Sequence, residues 1–195
     1  THGKEVSFDP SGPPVLFVFK SHLEPNLGKI TFFKVISGTI TSTSELVNSE
    51  TKTVERFHQL FIMDGKTRQP VERLVAGDIG ATLKLKDTYT NQTLCSKGAE
   101  VSITPINFPP ARIRTAVVAK SKNDDEKIGE VLQRIHQEDP TLHVEYVREL
   151  RQLIISGQGE LHLTVCRWFL EKLYNLHVDF VPPRISYRET IRKPA

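Results

Sequence analysis

The sequence predicts a chain of two parts, an all-β unit followed by an α/β unit, and three observations carry that prediction. Over roughly the first half, short runs of β-branched and aromatic residues are broken at intervals by turn residues, with no convincing helical period. Three prolines then fall within six residues, at Pro105, Pro109 and Pro110. Beyond them, strand-like and helix-like periods alternate.

In the first part the strand signals are residues 15–19, 30–36, 54–63 and 81–85. Turn residues interrupt them at Glu24-Pro25-Asn26, Ser37-Gly38, Asp64-Gly65 and Ala76-Gly77-Asp78. Short strands with regular turns suggest a small closed β-barrel, which leaves no exposed strand edges. Apolar residues fall on both faces of several strands, as they do when an outer face packs on something else. The prolines around residues 104–110 remove backbone donors and hold their predecessors extended, so this stretch reads as a linker.

In the second part, residues 113–119 read as a strand. Residues 124–139 read as a helix capped by Asn123 or Asp124, with Ile128, Val131, Leu132 and Ile135 at helical spacing and Pro140 as its stop. Strands follow at 142–147 and 152–156, joined through Arg148-Glu149-Leu150. A second helix spans 160–174, with Leu161, Val165, Trp168, Phe169 and Leu173 on one stripe, and 177–181 is the last strand. The order β-α-β-β-α-β is that of the ferredoxin-like split unit. The expected division is therefore a barrel over residues 1–104, a ferredoxin-like domain over 105–184, and the start of a further domain over 185–195. The sequence does not begin with Met and its tail carries no stop signal, so it is expected to be part of a longer polypeptide.

Composition narrows the function classes. Of 195 residues, 25% are charged and 38% hydrophobic, which excludes wholesale disorder. No apolar run approaches the ~18 residues of a membrane span, and Thr1-His2-Gly3-Lys4-Glu5 has no apolar signal region, so no membrane partner is expected. The net charge of +3 divides evenly, +1 over residues 1–104 and +2 over 105–195, without the strong asymmetry of a dedicated nucleic-acid binder. Cys95 and Cys166 lie far apart with no C-x-x-C spacing, which argues against a disulfide framework or a zinc ribbon and for a reducing cytoplasm.

Catalytic and cofactor motifs are sparse. Ser156-Gly157-Gln158-Gly159-Glu160 lies between a strand and a helix, but the third glycine of a dinucleotide fingerprint would be His162, and Glu160 puts negative charge where a phosphate would sit. A tight turn that needs glycine dihedrals accounts for it better. His162 and Cys166 are too few ligands for structural zinc. Asp124-Asp125-Glu126 complements a helix dipole. An acylphosphatase-like enzyme would need an anion-cradling loop after the first strand of the α/β half, where residues 120–126 instead turn acidic. There is no G-x-x-x-x-G-K-[ST] and no N-K-x-D, so no catalytic, metal or cofactor-binding residue is assigned in this chain. Lys29, Lys34 and Arg56 on the barrel, and Arg184, Arg188 and Arg192 in the tail, are candidates to meet phosphates.

Several runs together resemble the translational GTPases of the elongation factor G type. In the barrel they are Gly28-Lys29-Ile30-Thr31-Phe32, Val35-Ile36-Ser37-Gly38-Thr39 and Ala76-Gly77-Asp78-Ile79-Gly80. In the second part they are Glu138-Asp139-Pro140-Thr141, the run from Ile155-Ser156-Gly157-Gln158-Gly159 through Glu160-Leu161-His162-Leu163, and Tyr187-Arg188-Glu189-Thr190-Ile191. The resemblance implies a domain II barrel, a ferredoxin-like domain III and the first residues of domain IV. It implies GTP and Mg in a parent protein, with none held by this part. It also implies contact of the barrel with small-subunit rRNA, for which Lys29, Lys34 and Arg56 are the candidates, and with a ribosomal protein. Gly157, Gly159, Glu160 and His162 would then belong to an interdomain surface facing the parent's GTPase and distal domains. The implied role is ribosome binding and interdomain coupling in translocation or recycling. Gln158 and Thr164 stand where the family usually has Met and Glu, and Arg148-Glu149-Leu150-Arg151 where a glycine is common. A tetracycline-resistance-type ribosomal protection factor is therefore an alternative, and a free-standing binding module is another.

Overall fold

The computed structural model describes residues 6–24, 28–99 and 101–187. Most of the expected turn at Glu24-Pro25-Asn26 lies outside the described residues. So do Arg188, Arg192 and all of the Tyr187-to-Ile191 run except Tyr187. The chain divides into two units after Asn107.

The first unit contains β1 (Val15–Glu24), β2 (Gly28–Ser37), β3 (Thr39–Thr41), β4 (Glu45–Asn48), β5 (Val54–Arg56), β6 (Leu60–Asp64), β7 (Thr67–Val71), β8 (Arg73–Val75), β9 (Ile79–Leu83) and β10 (Thr93–Cys95). Eight of them form one antiparallel sheet in the order β5-β4-β10-β1-β2-β9-β6-β7, and β3 pairs with β8 in a separate ribbon. Both sheets close on one core. Leu16, Val18, Phe33 and Val35 from β1 and β2 meet Ile40 of β3 and Leu74 of β8, all 1% exposed or less.

This is a barrel built around shared side chains, and its ladder is not continuous. Among the described residues β5 and β7 end the eight-stranded sheet as edges, which corrects the expectation of a barrel without them. The strand expected over 54–63 is two strands, because Phe57 leaves the ladder and enters the core. Phe57 is 2% exposed, its ring lies edge-on to Phe33 at 5.8 Å, and its N–H donates to Ser44 O at 3.1 Å. The strand expected over 81–85 ends at Leu83, where Lys84 turns to φ 63°. The turn residues Gly38, Gly65 and Gly77 all take positive φ.

Among the described residues, one carboxyl side chain is sealed inside this unit. Glu55 of β5 is 1% exposed. Its carboxylate accepts from Lys86 N at 2.9 Å, Asp87 N at 2.8 Å and Thr88 Oγ1 at 2.7 Å, which clamps the chain after β9 onto β5. Such a group is tolerated in a core only when its oxygens are satisfied in this way.

The second unit contains β11 (Ile113–Ala119), α1 (Asp125–Glu138), β12 (His143–Val147), β13 (Gln152–Gly157), α2 (Glu160–Leu173) and β14 (Val178–Val181). Its sheet order, β12-β13-β11-β14 and antiparallel throughout, is that of the split β-α-β-β-α-β fold. Ile128, Val131 and Leu132 of α1 are buried, as their spacing predicts. The predicted cap is not made: a single 3₁₀ turn at Lys122–Asp124 leads into α1, and the Asp124 side chain bonds no helix N–H.

The sequence shows an apolar stripe on α2 without its direction, and the structure turns most of it outward. The buried face of α2 is Leu163, Cys166 and Leu170. Leu161, Val165 and Trp168, at i, i+4 and i+7, lie on the opposite face and are 77%, 40% and 51% exposed. Both the buried and the solvent face of α2 carry apolar side chains, and the bulkier one faces solvent.

Candidate functional site

The turn between β13 and α2 is assembled from residues distant in sequence. Gln158 N–H donates to His162 Nδ1 at 3.1 Å, and His162 Nε2 lies 3.1 Å from Asp139 Oδ2. Because Nδ1 accepts, the ring proton is assigned to Nε2 and is donated to the carboxylate. The other Asp139 oxygen accepts from Thr141 N at 2.9 Å and Thr141 Oγ1 at 2.6 Å, which ties the residues after α1 into the same knot. Two of the runs singled out in the sequence, Glu138-Asp139-Pro140-Thr141 and the glycine-containing run ending in Glu160-Leu161-His162-Leu163, therefore meet in space through one imidazole.

The glycines serve this turn differently from the expectation. Neither Gly157 nor Gly159 takes a positive φ, and Gly159 is simply extended at φ −179°. Gly157 is required by space, since a Cβ there would lie 2.9 Å from His162 Nδ1 and 3.0 Å from Leu163 Cδ2. A Cβ on Gly159 would meet nothing within 4 Å. Gln158 Nε2 donates to Pro109 O at 2.9 Å and Gly157 O accepts from Arg112 N at 2.8 Å, so the end of the proline-rich segment is fastened to the same turn. Glu160 opens α2 and is exposed.

Removing the imidazole tests this arrangement. His162→Ala is expected to lose about 1–2 kcal/mol of stability. It is also expected to speed amide exchange at Gln158 about tenfold or more, because that N–H loses its acceptor. An unchanged Gln158 exchange rate would show that the imidazole does not hold the turn.

Cys166, which the sequence places one turn beyond His162, belongs to the core and not to the turn. Burial, with the Asp139 charge adding to it, pushes its thiol up to about 12, so it stays protonated near neutral pH. Among the described residues no group of three or more His, Cys, Asp or Glu could hold a metal ion. No helix among them is long and apolar enough to cross a membrane.

The three basic candidates of the barrel are not brought together into one patch by strand alternation. Lys29 and Lys34 share β2 but fall on opposite faces. Lys29 Nζ donates to Thr88 O at 2.9 Å and lies 4.3 Å from the centre of the Tyr89 ring. Burial holds its pKa below the ordinary lysine value, against the upward pull of Glu55 and Asp87. Lys34 Nζ sits 5.2 Å from the centre of the Phe8 ring. Arg56 pairs with Glu45, its cross-strand neighbour, at 2.6 Å, and its side chain is 70% exposed. Arg184 lies beyond β14, where its backbone N–H donates to Gln152 Oε1 at 2.8 Å.

Sequence reasoning did not find two features of this region. The His162–Asp139 contact joins segments with no shared period, so nothing local announces it. The exposed Leu161-Val165-Trp168 face was visible as a stripe, and only its direction was not.

Comparison with known proteins agrees with this architecture in both units. Residues 13–97 match the family model described as elongation factor G domain 2, and residues 108–182 match that of elongation factor G, domain III. Among solved structures, the chain is similar to a crystal structure of a protein from Thermus thermophilus. The TM-score is 0.79 at 29% sequence identity, over 94% of this chain and 28% of that one. The chain thus spans less than a third of the structure it matches. With both domain models in the family's order on one polypeptide, the chain belongs to the elongation factor G-like proteins, as a domain II barrel followed by domain III.

Proposed function

We propose that this chain is the ribosome-binding and interdomain-coupling portion of an elongation factor G-like translational GTPase, acting in the cytoplasm in translocation or ribosome recycling. GTP and Mg are held by a GTPase domain outside these 195 residues, and the chain performs no chemistry of its own. The barrel contacts small-subunit rRNA and a ribosomal protein. Lys29 is half-buried and directs its ammonium onto Thr88 and Tyr89. Arg56, although paired with Glu45, is 70% exposed and Lys34 lies on the opposite face of β2, so these two are the better candidates for RNA.

The observation that carries the coupling role is the apolar solvent face of α2. Leu161, Val165 and Trp168 stand exposed in a row that begins beside Gly159 and Glu160. Burying these side chains repays about 25 cal/mol per Å² of apolar surface, and a face of this kind marks an interaction site more often than a monomer surface. Gly157 and His162 shape the turn that presents it. Gln158 and Thr164 fit a divergent paralogue as readily as the housekeeping factor, and a tetracycline-resistance-type ribosomal protection factor is the second reading.

Trp168 is the only tryptophan, which gives a direct test. In a chain labelled with 5-fluorotryptophan, adding the parent's GTPase domain is expected to shift the single fluorine resonance, and Leu161→Glu to abolish the shift. The same chain is expected to co-sediment weakly with ribosomes in a salt-sensitive manner, since phosphate contacts release counterions. An unmoved resonance would sink the coupling role, and no co-sedimentation at low salt would sink the ribosome contact.

A further inference from the structure

The second unit has a groove on the helix-bearing side of its sheet, at the opposite end of β13 from the β13–α2 turn. Its floor is apolar, formed by Val117 of β11 and Leu153 of β13, and Tyr146 of β12 stands along it, 60% exposed. The opposite wall is the N-terminal half of α1. Asp125, Glu126 and Glu130 line it, and none of these carboxylates has an ion pair among the described residues. Among the described residues, Arg151 is the one cationic side chain at the groove.

Two points separate this groove from an ordinary charged helix face. Negative charge in a first turn complements the macrodipole, which accounts for Asp125 and Glu126, but Glu130 lies beyond that turn. Gly129, in the interior of α1, also lines the groove, and a Cβ there would meet nothing within 4 Å. Glycine is a poor helix former, and among the described residues no close approach requires it. Its effect is to leave the wall open beside the apolar floor.

We propose that this groove docks a basic polypeptide segment of another protein, seating an apolar side chain against Val117, Leu153 and Tyr146 and placing lysine or arginine against Asp125, Glu126 and Glu130. Charge complementarity sets the class of partner: among the described residues, three carboxylates against one guanidinium favour a cationic segment and repel a polyanion. The apolar floor gives such a segment an anchor that a simple cation lacks.

The test uses the ¹⁵N-labelled 195-residue chain and a blocked heptapeptide of alternating lysine and leucine. Amide shifts are expected to concentrate at Val117, Gly129, Tyr146 and Leu153, to weaken as salt is raised, and to be absent with a peptide carrying glutamate for lysine. Gly129→Leu fills the opening with a good helix former and is expected to weaken binding about tenfold or more. The double variant Glu126→Gln, Glu130→Gln is expected to weaken it by a similar factor, and Gly129→Ala to leave it within about twofold. The spectra outside the groove report whether each variant is folded. Shifts that are absent, that scatter over the surface, or that persist in Gly129→Leu would overturn the proposal. It would also be overturned if a uridine oligonucleotide or spermidine moved the same amides as strongly as the peptide.

Discussion

Glu55→Ala is expected to destabilise the barrel by about 3–5 kcal/mol, the range for removing one partner from a buried charged network. Glu55 is 1% exposed, and its carboxylate is the acceptor for the buried Thr88 hydroxyl and for the part-buried backbone N–H groups of Lys86 and Asp87, all three of which lose that acceptor. Each orphaned donor carries a desolvation penalty of about 1–3 kcal/mol where water cannot replace the lost oxygen. Glu55→Gln keeps the shape and one acceptor oxygen, and is expected to cost less. The change also reaches Lys29, whose pKa burial lowers and Glu55 raises. Without Glu55 that pKa falls further below the unfolded value. The folded variant then carries an unfavourable Lys29 charge at neutral pH, and the deficit narrows as pH rises towards the ordinary lysine value of 10.5. Amide exchange at Lys86 and Asp87 measured across pH, alongside urea unfolding, checks both the size and the sign. A loss under about 1 kcal/mol would mean that water replaces the lost oxygen in the variant.

Gly38→Ala is expected to cost about 3 kcal/mol or more, from two sources acting together. Gly38 joins β2 to β3 at φ +76°, a left-handed conformation that a Cβ disfavours. An added Cβ would also lie 2.6 Å from both Pro14 Cα and Pro14 N, and 2.7 Å from Gly12 O. These are backbone atoms and cannot rotate aside. The clash would disturb a seam in which Gly38 N donates to Asp9 O at 2.7 Å and Gly38 O accepts from Ala76 N at 3.0 Å. Gly65→Ala supplies the contrast, since Gly65 also has positive φ, +55°, but nothing lies within 4 Å of its Cβ position. It is expected to cost only about 1 kcal/mol. Equal shifts in the urea midpoint for the two variants would show that the Pro14 contact contributes nothing.

The parts of this fold that sequence revealed are those where one face of an element differs chemically from the other. On α1, Ile128, Val131 and Leu132 are the apolar side of an otherwise polar helix, and the period identifies both the helix and its buried face. On α2 apolar residues occupy both the buried and the solvent face, and Glu160, Thr164, Arg167 and Glu171 form a narrow polar stripe between them, so the period identifies the helix without saying which apolar face is buried. In the barrel, β1 and β2 are long and rich in Phe, Val and Ile. By contrast β4, β8 and β10 are three or four residues long, too short for alternation to register, and are held by pairing with strands remote in sequence. The glycine-containing run before α2 was legible as a turn. Its cause was not, because the steric demand at Gly157 comes from His162, whose ring is oriented by Asp139 at the far end of α1.

The two ends of the barrel's main ladder bear on how the protein behaves when concentrated. A sheet with free edges invites a second copy to add a strand, and long flat edges are where self-association and fibril growth begin. Here β5 is only three residues long, and its outward Arg56 is paired across to Glu45. At the other end β7 is interrupted by Pro70, which has no N–H to offer a neighbouring strand, and carries Arg68 two residues earlier. Neither edge presents the uninterrupted row of donors and acceptors that intermolecular pairing requires. The barrel can therefore leave its hydrogen-bonded circuit open without becoming a template for its own aggregation.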